Sequence, residues 1–159
     1  MATEIERKFT LKSNSWKNQA SHQCRYVQGY LAGNDRSSVR VRIAGDKANI
    51  NIKSATLGIE RMEYEYEIPV IDAQEMLDQL CQKPIIDKTR YFVPFAGKTW
   101  EVDEFYGDNA GLVVAEIELN DAEESFELPD WADDDVSHDV RYYNVSLVTH
   151  PFKDWKDKD

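Results

Sequence analysis

Charged residues of one sign recur two apart along this chain. Glu4 and Glu6, Glu63 and Glu65, Glu101 and Asp103, and Glu116 and Glu118 form acid pairs, while Arg40 with Arg42 and Lys88 with Arg90 form basic ones. Lys8 and Lys53 add single ammonium groups on the same alternation. Carboxylates in pairs offer hard oxygen donors suited to Mg²⁺ or Mn²⁺, and Lys and Arg suit phosphate oxygens, Arg through two parallel hydrogen bonds. Gathered in one place without a ligand, such groups repel. Two like charges about 4 Å apart cost about 4 kcal/mol at an effective dielectric near 20, so the carboxylates would protonate or disrupt the fold unless divalent cations relieved them.

The spacing of two identifies the elements that carry these groups, because side chains on a strand alternate between two faces. Glu4, Glu6 and Lys8 oppose Ile5, Arg7 and Phe9; Arg40 and Arg42 oppose Val39, Val41 and Ile43; Glu63 and Glu65 oppose Tyr64 and Tyr66; Glu116 and Glu118 oppose Ala115, Ile117 and Leu119. Alternation predicts eight strands, near 4–11, 25–32, 38–44, 48–54, 61–70, 86–95, 99–105 and 113–119, joined by Gly and Asx turns such as Gly33-Asn34-Asp35 and Gly45-Asp46. For any single strand, the plain reading is a half-buried sheet whose charged face meets water. A solvated face mixes Lys, Glu, Thr, Ser and Gln, however, whereas these strands carry pure acid or base pairs. Closing the strands into a mainly β, eight-stranded antiparallel barrel would bring the charges into one lumen, with the apolar face outside under a few peripheral helices and loops.

Two helices are expected outside the barrel. One spans 72–82, with Asp72 and Glu75 at capping-box spacing, an apolar stripe of Met76, Leu77 and Leu80, and Pro84 beyond its end; the other covers 141–149, ended by Pro151. Tyr64 and Tyr66 are expected to pack beneath the barrel. The acidic stretch Asp130–Asp135 and the tail from Lys153 to Asp159 read as solvated charge. With 159 residues, 42% of them apolar, and no linker or repeat, the chain reads as one domain over 1–159.

A net charge of -11 argues against a nucleic-acid partner, since phosphate backbones are held by a surplus of Lys and Arg. It leaves room for a small polyanion, because basic residues in a cleft act locally. No apolar run reaches membrane-span length and the first residues, Met1-Ala2-Thr3-Glu4, lack a leader's pattern, so a cytoplasmic protein is expected. Cys24 and Cys81 lack any paired spacing and read as reduced thiols; His22, His138 and His150 show no metal spacing.

Glu4-Ile5-Glu6-Arg7-Lys8-Phe9 resembles the E-x-E-x-K signature of the CYTH superfamily, the triphosphate tunnel metalloenzymes. Gln28-Gly29-Tyr30-Leu31, Val39-Arg40-Val41-Arg42, Ile52-Lys53-Ser54, Glu63-Tyr64-Glu65, Lys88-Thr89-Arg90-Tyr91, Trp100-Glu101-Val102-Asp103, Ala115-Glu116-Ile117-Glu118 and Arg141-Tyr142-Tyr143-Asn144 follow in the family's order over nearly the whole chain. Ser137, where Thr is usual, and Val148-Thr149, in place of a more apolar pair, depart from the pattern away from the ionic face.

The resemblance implies an eight-stranded tunnel, a small triphosphate ligand and dependence on Mg²⁺ or Mn²⁺. By position, Glu4, Glu6, Glu116 and Glu118 resemble the metal-binding glutamates, with Asp103 and Glu63 or Glu65 as further candidates. Lys8, Arg40, Arg42, Lys53 and Arg90 resemble the phosphate-binding set. Lys88 with Arg90 resembles the basic dyad associated with tripolyphosphate, which makes Lys88, Arg90, Glu6 and Glu118 the catalytic candidates. Arg141 stands near a late basic residue of some relatives, with a surface or capping role as its alternative. Class IV adenylate cyclase and thiamine triphosphatase stay open as activities, the latter if Trp16, Trp100, Trp131 or Trp155 stacks the thiamine ring. A non-catalytic sensor of polyphosphate or nucleotide is the alternative of another class. A homodimer is compatible with all of these.

Overall fold

In the computed structural model, which describes residues 3–55 and 58–156, the strands are β1 (Thr3–Leu11), β2 (His22–Gly33), β3 (Ser37–Ala44), β4 (Lys47–Ser54), β5 (Glu60–Ile68), β6 (Ile86–Phe95), β7 (Lys98–Phe105), β8 (Val113–Glu118) and β9 (Ala132–Asp135). The first eight close into a ring in the order β1, β5, β4, β3, β2, β6, β7, β8 and back to β1, antiparallel throughout. β1 is the closing strand. On one side it aligns Glu6 with Glu118 and Lys8 with Glu116; on the other its first residues pair with β5, Glu4 facing Arg61. Past Ile5 that second side is free of β5, and β9 takes it over, with a register shift between Phe9 and Leu11.

Paired residues on neighbouring strands share a face, so the register decides which charges meet. Arg40 lies beside Asn51, which lies beside Glu65; Arg90 lies beside Asp103; Glu101 lies beside Glu116. The ionic face of β1, β3, β4, β5, β6, β7 and β8 thus turns inward, with Tyr26, Gln28 and Tyr30 of β2 completing the ring, and the apolar core forms outside the wall. Phe9, Trp16, Val93, Trp100, Ile117 and Trp131 pack over β1, β6, β7 and β8. Helix α1 (Val70–Gln79) lays Ala73 and Leu77 on Val41 and Ala48. Leu147 and Val148 of the short helix α2 (Ser146–Thr149) join Tyr30, Ile86, Val114 and Trp155 in a third cluster.

Several local expectations change. Pro69, not Asp72, precedes the first turn of α1, and no side chain caps that helix, so the Asp72 and Glu75 spacing places acids within the opening turns instead of forming a capping box. The helix expected over 141–149 is broken: Val140–Tyr142 forms a 3₁₀ turn capped by the Asp139 side chain, and Tyr143 is extended before α2 begins. Tyr64 and Tyr66 are exposed, because α1 packs on β2, β3 and β4 and leaves the outer face of β5 bare. The acidic stretch 130–135 keeps its side chains at Asp133, Asp134 and Asp135 in solvent, yet its backbone becomes β9. Residues 157–159 of the charged tail, and Met1 and Ala2, lie outside the described residues.

Gly29 on β2 lets the end of α1 approach the barrel wall, since a Cβ there would stand 2.9 Å from Cys81 Cβ and 2.9 Å from Ile85 Cδ1. Both neighbours belong to the α1 core. Gly29→Ala is expected to destabilise the protein by about 1–3 kcal/mol, the usual cost of overfilling a packed contact. Urea denaturation of the two proteins measures it; an unchanged midpoint would mean that the helix end yields freely.

Candidate active site

The ring encloses a cavity of about 170 Å³ walled almost entirely by charged and polar groups. Every acid and base assigned to the metal-binding, phosphate-binding or catalytic sets borders it except Asp103, as does Glu101. Its charges separate into two poles. At one, Arg40 and Arg42 have no carboxylate partner among the described residues: Arg40 Nε is buried without a hydrogen bond, and Arg42 donates through Nε to Gln28 Oε1 at 2.9 Å while stacking on Tyr26 at 4.4 Å. Burial presses the Arg42 charge down, and Arg40 and Arg90 add to it. An anion placed here would relieve that repulsion.

At the other pole acids crowd. Glu118 lies opposite Glu6 in the register, and its pKa is raised by burial and then by Glu4, Glu6 and Glu63. Glu6 is raised by burial and by Glu116, although Lys8 stands 3.3 Å away. Glu4 holds Lys53 at 2.7 Å, and Arg61 lies 3.8 Å from both Glu4 and Glu6. Asn51 donates to Glu63 at 3.0 Å and to Glu65 at 3.2 Å, and Lys53 reaches Glu63 at 3.6 Å. Hard carboxylate oxygens pushed toward protonation by one another fit a divalent cation in donor chemistry. Among the described residues, however, no three acidic, His or Cys side chains converge at ligating distance; the glutamates are turned toward Lys8, Lys53 and Arg61 and would exchange those partners for an ion.

Between the poles runs a chain of ion pairs. Lys8 bonds Glu116, Arg90 reaches Glu116 at 3.2 Å and Glu101 at 3.3 Å, and Glu116 and Glu6 together hold the Lys8 ammonium above its usual range against the opposing effect of burial. Asp103, expected among the metal ligands, occupies a different place. It shares the inward face with Arg90 but does not border the cavity, and is 1% exposed, with Oδ1 accepting from Arg90 Nε at 2.8 Å and Oδ2 accepting from Arg90 at 2.9 Å and Lys88 at 2.8 Å. With both oxygens committed, its geometry is that of a clamp on the Lys88 and Arg90 dyad. Burial pushes the Lys88 ammonium down to about 7; Asp103 opposes this, and Arg90 and Arg42 reinforce it.

Seven cavity-lining residues were not among the sequence candidates: Tyr30, Ser38, Asn51, Arg61, Tyr143, Asn144 and Val145. Arg61 shares the face of Glu63 and Glu65 and was detectable by its spacing. Asn51 is the polar residue between the strands of Arg40 and Glu65, visible in the alternation but without charge to mark it. Tyr143 and Asn144 enter from the irregular segment before α2, where no periodicity exists to reveal them. Arg141 lies outside the cavity, paired with Asp139 at 2.8 Å and packed on Trp155 at 4.9 Å. The four tryptophans lie in the outer core, at most 5% exposed, and none borders the cavity.

A closed antiparallel barrel with its charged face inward, divided into an anion-seeking and a cation-seeking pole, is a tunnel for a metal-chelated polyanion. The chain belongs to the CYTH family, whose domain pattern matches residues 2–152. It is 48% identical over 157 residues to an inorganic triphosphatase of Acetivibrio thermocellus, covering 99% of this chain and 100% of the relative. An inorganic triphosphatase of Nitrosomonas europaea is 34% identical over 150 residues, 92% of this chain and 97% of the relative. A solved inorganic triphosphatase structure superposes with a TM-score of 0.66 at 33% identity, covering 93% of this chain and 95% of that one. A solved Hippeastrum protein with dominant triphosphatase activity has a TM-score of 0.60 over 76% of this chain and 81% of that one; at 18% identity it shares the fold alone. Family membership implies a divalent metal at the site.

The Asp103 clamp has a consequence for stability. Lys88 and Arg90 counter the burial of Asp103 and lower its pKa from 3.8 to about 2. A carboxyl depressed by folding contributes stability that is complete above its unfolded value and vanishes as pH falls through its folded one. Asp103→Asn is therefore expected to cost about 3 kcal/mol near neutral pH, because it removes the one carboxylate that pairs with Lys88 among the described residues and one of the three that pair with Arg90. The deficit relative to the unaltered protein should shrink as pH falls from 3.8 toward about 2. Denaturant melts across that range measure it, and a deficit independent of pH would show that the carboxylate charge is not what matters.

Proposed function

We propose that the chain hydrolyses inorganic tripolyphosphate to diphosphate and phosphate inside the tunnel, with Mg²⁺ or Mn²⁺. The observation that carries this reading is the two-pole cavity, in which Arg40 and Arg42 lack carboxylate partners while Glu4, Glu6 and Glu118 crowd together. The two relatives named inorganic triphosphatases, aligned over nearly the whole chain, support the substrate class.

In this reading Arg40, Arg42, Lys53 and Lys8 hold the phosphate oxygens, and Glu4, Glu6, Glu116 and Glu118 hold the cation, with Glu63 and Glu65 behind them. Divalent metal ions in such a site supply neutralisation of the phosphate charge and a more acidic water. Water oxygen attacks the terminal phosphorus, the bond to the bridging oxygen breaks, and diphosphate leaves with the electron pair while Arg90 stabilises the growing charge. Lys88, with its pKa near 7, is suited to take the proton that the water releases.

The same proposal treats residues 1–159 as a single CYTH domain acting in the cytoplasm on a small triphosphate. Among the described residues no helix is long and apolar enough to cross a membrane. Self-association into a homodimer is compatible with the exposed outer face of β5, where Met62, Tyr64 and Tyr66 meet solvent.

Tripolyphosphate incubated with the protein and Mg²⁺ or Mn²⁺ is expected to release one phosphate per diphosphate, and EDTA in excess should abolish the release until metal is restored. Glu118→Gln should lower turnover by at least about a hundredfold with the melting temperature preserved, since the group has no structural ion pair to lose. Phosphate release that persisted under complete chelation would reject the mechanism. Intact tripolyphosphate after long incubation with metal would instead favour a sensor, and cyclic AMP formed from ATP would favour a cyclase.

A further inference from the structure

Asn144 borders the cavity from the C-terminal segment, and its side-chain amide is oriented by a relay that begins at Arg42, two hydrogen bonds away. Arg42 is a donor only, so its Nε fixes the carbonyl of Gln28 toward itself at 2.9 Å. That leaves the Gln28 amide nitrogen to donate to Asn144 Oδ1 at 3.2 Å. Asn144 must then present the same oxygen to Lys88 Nζ, which donates to it at 2.9 Å. Each link allows one polarity.

The consequence falls on Lys88. Asp103 Oδ2 at 2.8 Å and Asn144 Oδ1 at 2.9 Å take two of the tetrahedral positions of Nζ beyond its own carbon. The remaining position, a lone pair or an N–H according to protonation, is left for the cavity that Lys88 borders. With Asp103 alone, the ammonium could swing about a single contact. Lys88 is 1% exposed, so its reach is short and its aim decides what it can touch.

Asn144 is not needed to pin its own segment. Tyr143 Oη accepts from Gly58 N at 2.9 Å and donates to Ser137 O at 2.8 Å, and Leu147 and Val148 are buried in the outer core. Gln28 is fully buried and does not border the cavity, so it has no route to a ligand except through its neighbours.

We propose that Asn144, oriented by Gln28, is a positioning residue that aims Lys88 at the terminal phosphoryl group; this rests on the reading of Lys88 as a catalytic residue given above. Asn144→Leu removes the acceptor. Gln28→Glu keeps an acceptor for Arg42 but withdraws the donor that orients Asn144. Asn144→Asp keeps an acceptor for Lys88.

The experiment is steady-state hydrolysis of tripolyphosphate by the full chain at saturating Mg²⁺, with melting curves for each variant and Lys88→Met alongside. A hydrogen bond to a charged group supports a loss of about tenfold or more in kcat for Asn144→Leu and Gln28→Glu, with KM within about threefold for Asn144→Leu and raised for Gln28→Glu, whose carboxylate competes with phosphate for Arg42. Asn144→Asp keeps the acceptor, but its added charge raises the Lys88 pKa, so its kcat should return to within about threefold only as pH is raised. Folded Asn144→Leu and Gln28→Glu proteins with unchanged kcat, or an Asn144→Asp protein as slow as Asn144→Leu at every pH from about 7 to about 9, would overturn the relay. If Lys88→Met itself keeps full kcat, the assignment of Lys88 is what fails, and the relay falls with it. Gln28→Glu, being close to isosteric, supplies the answer should the leucine variant not fold.

Discussion

A charged side chain enclosed in a narrow lumen loses much of its hydration and can persist only opposite another charge, a dipole or a ligand. Everything in this barrel follows from that demand. At several heights of the wall one strand delivers a cation or a dipole where its neighbour delivers a carboxylate, Lys8 beside Glu116, Arg90 beside Asp103 and Asn51 beside Glu65, whereas Glu6 beside Glu118 and Glu101 beside Glu116 set acid against acid. β1 matters most because it closes the ring, and its two-residue alternation of Glu4, Glu6 and Lys8 aligns with both β5 and β8. A register slip of one residue there would turn the apolar face inward and the ionic face out.

The same demand explains why the apolar core lies outside the wall. An open half-buried sheet would put one apolar face under helices and leave the charged face to water; here closure gives the charged face its own interior, and α1, the tryptophan cluster and the C-terminal segment cover the outside. The outer covering is incomplete over β5, where Tyr64 and Tyr66 stay exposed. Stability and function are thereby assigned to opposite faces of the same strands, and a substitution at an odd or even position acts on one or the other.

Alternation made the strands and most lumen charges readable without coordinates, because period two is a property of the backbone and survives in any sequence that keeps one face ionic. Arg61 obeyed that rule and was passed over only because its strand was read by its acids. Asp103 also obeyed it, but alternation gives the face and not the depth, and so could not tell a ligand in the lumen from a clamp on Lys88 and Arg90. Tyr143 and Asn144 were beyond reach for a different reason. They sit in a segment whose path is set by the Asp139 cap, the Tyr143 contacts and the burial of Leu147, none of which has a period. Likewise β9 forms because β1 leaves part of one edge open past Ile5, a fact of topology that an acidic stretch cannot announce.

Charge balance inside the cavity bears on why a metal belongs to the site. The lining holds seven glutamates and seven cationic side chains, so at neutral pH its formal charge is near zero, within a chain of net charge -11. Such a lumen does not attract a polyanion by surplus charge. It attracts one by polarity, through Arg40 and Arg42 at one pole, and then must dispose of the negative charge the ligand brings toward Glu4, Glu6 and Glu118. A polyphosphate alone would meet those glutamates as a like charge, whereas one carrying divalent cations presents a positive face to them and a negative face to the arginines. On the proposed reading, the carboxylates are the half of the site that would recognise the chelate, and their crowding is what would disfavour the bare anion.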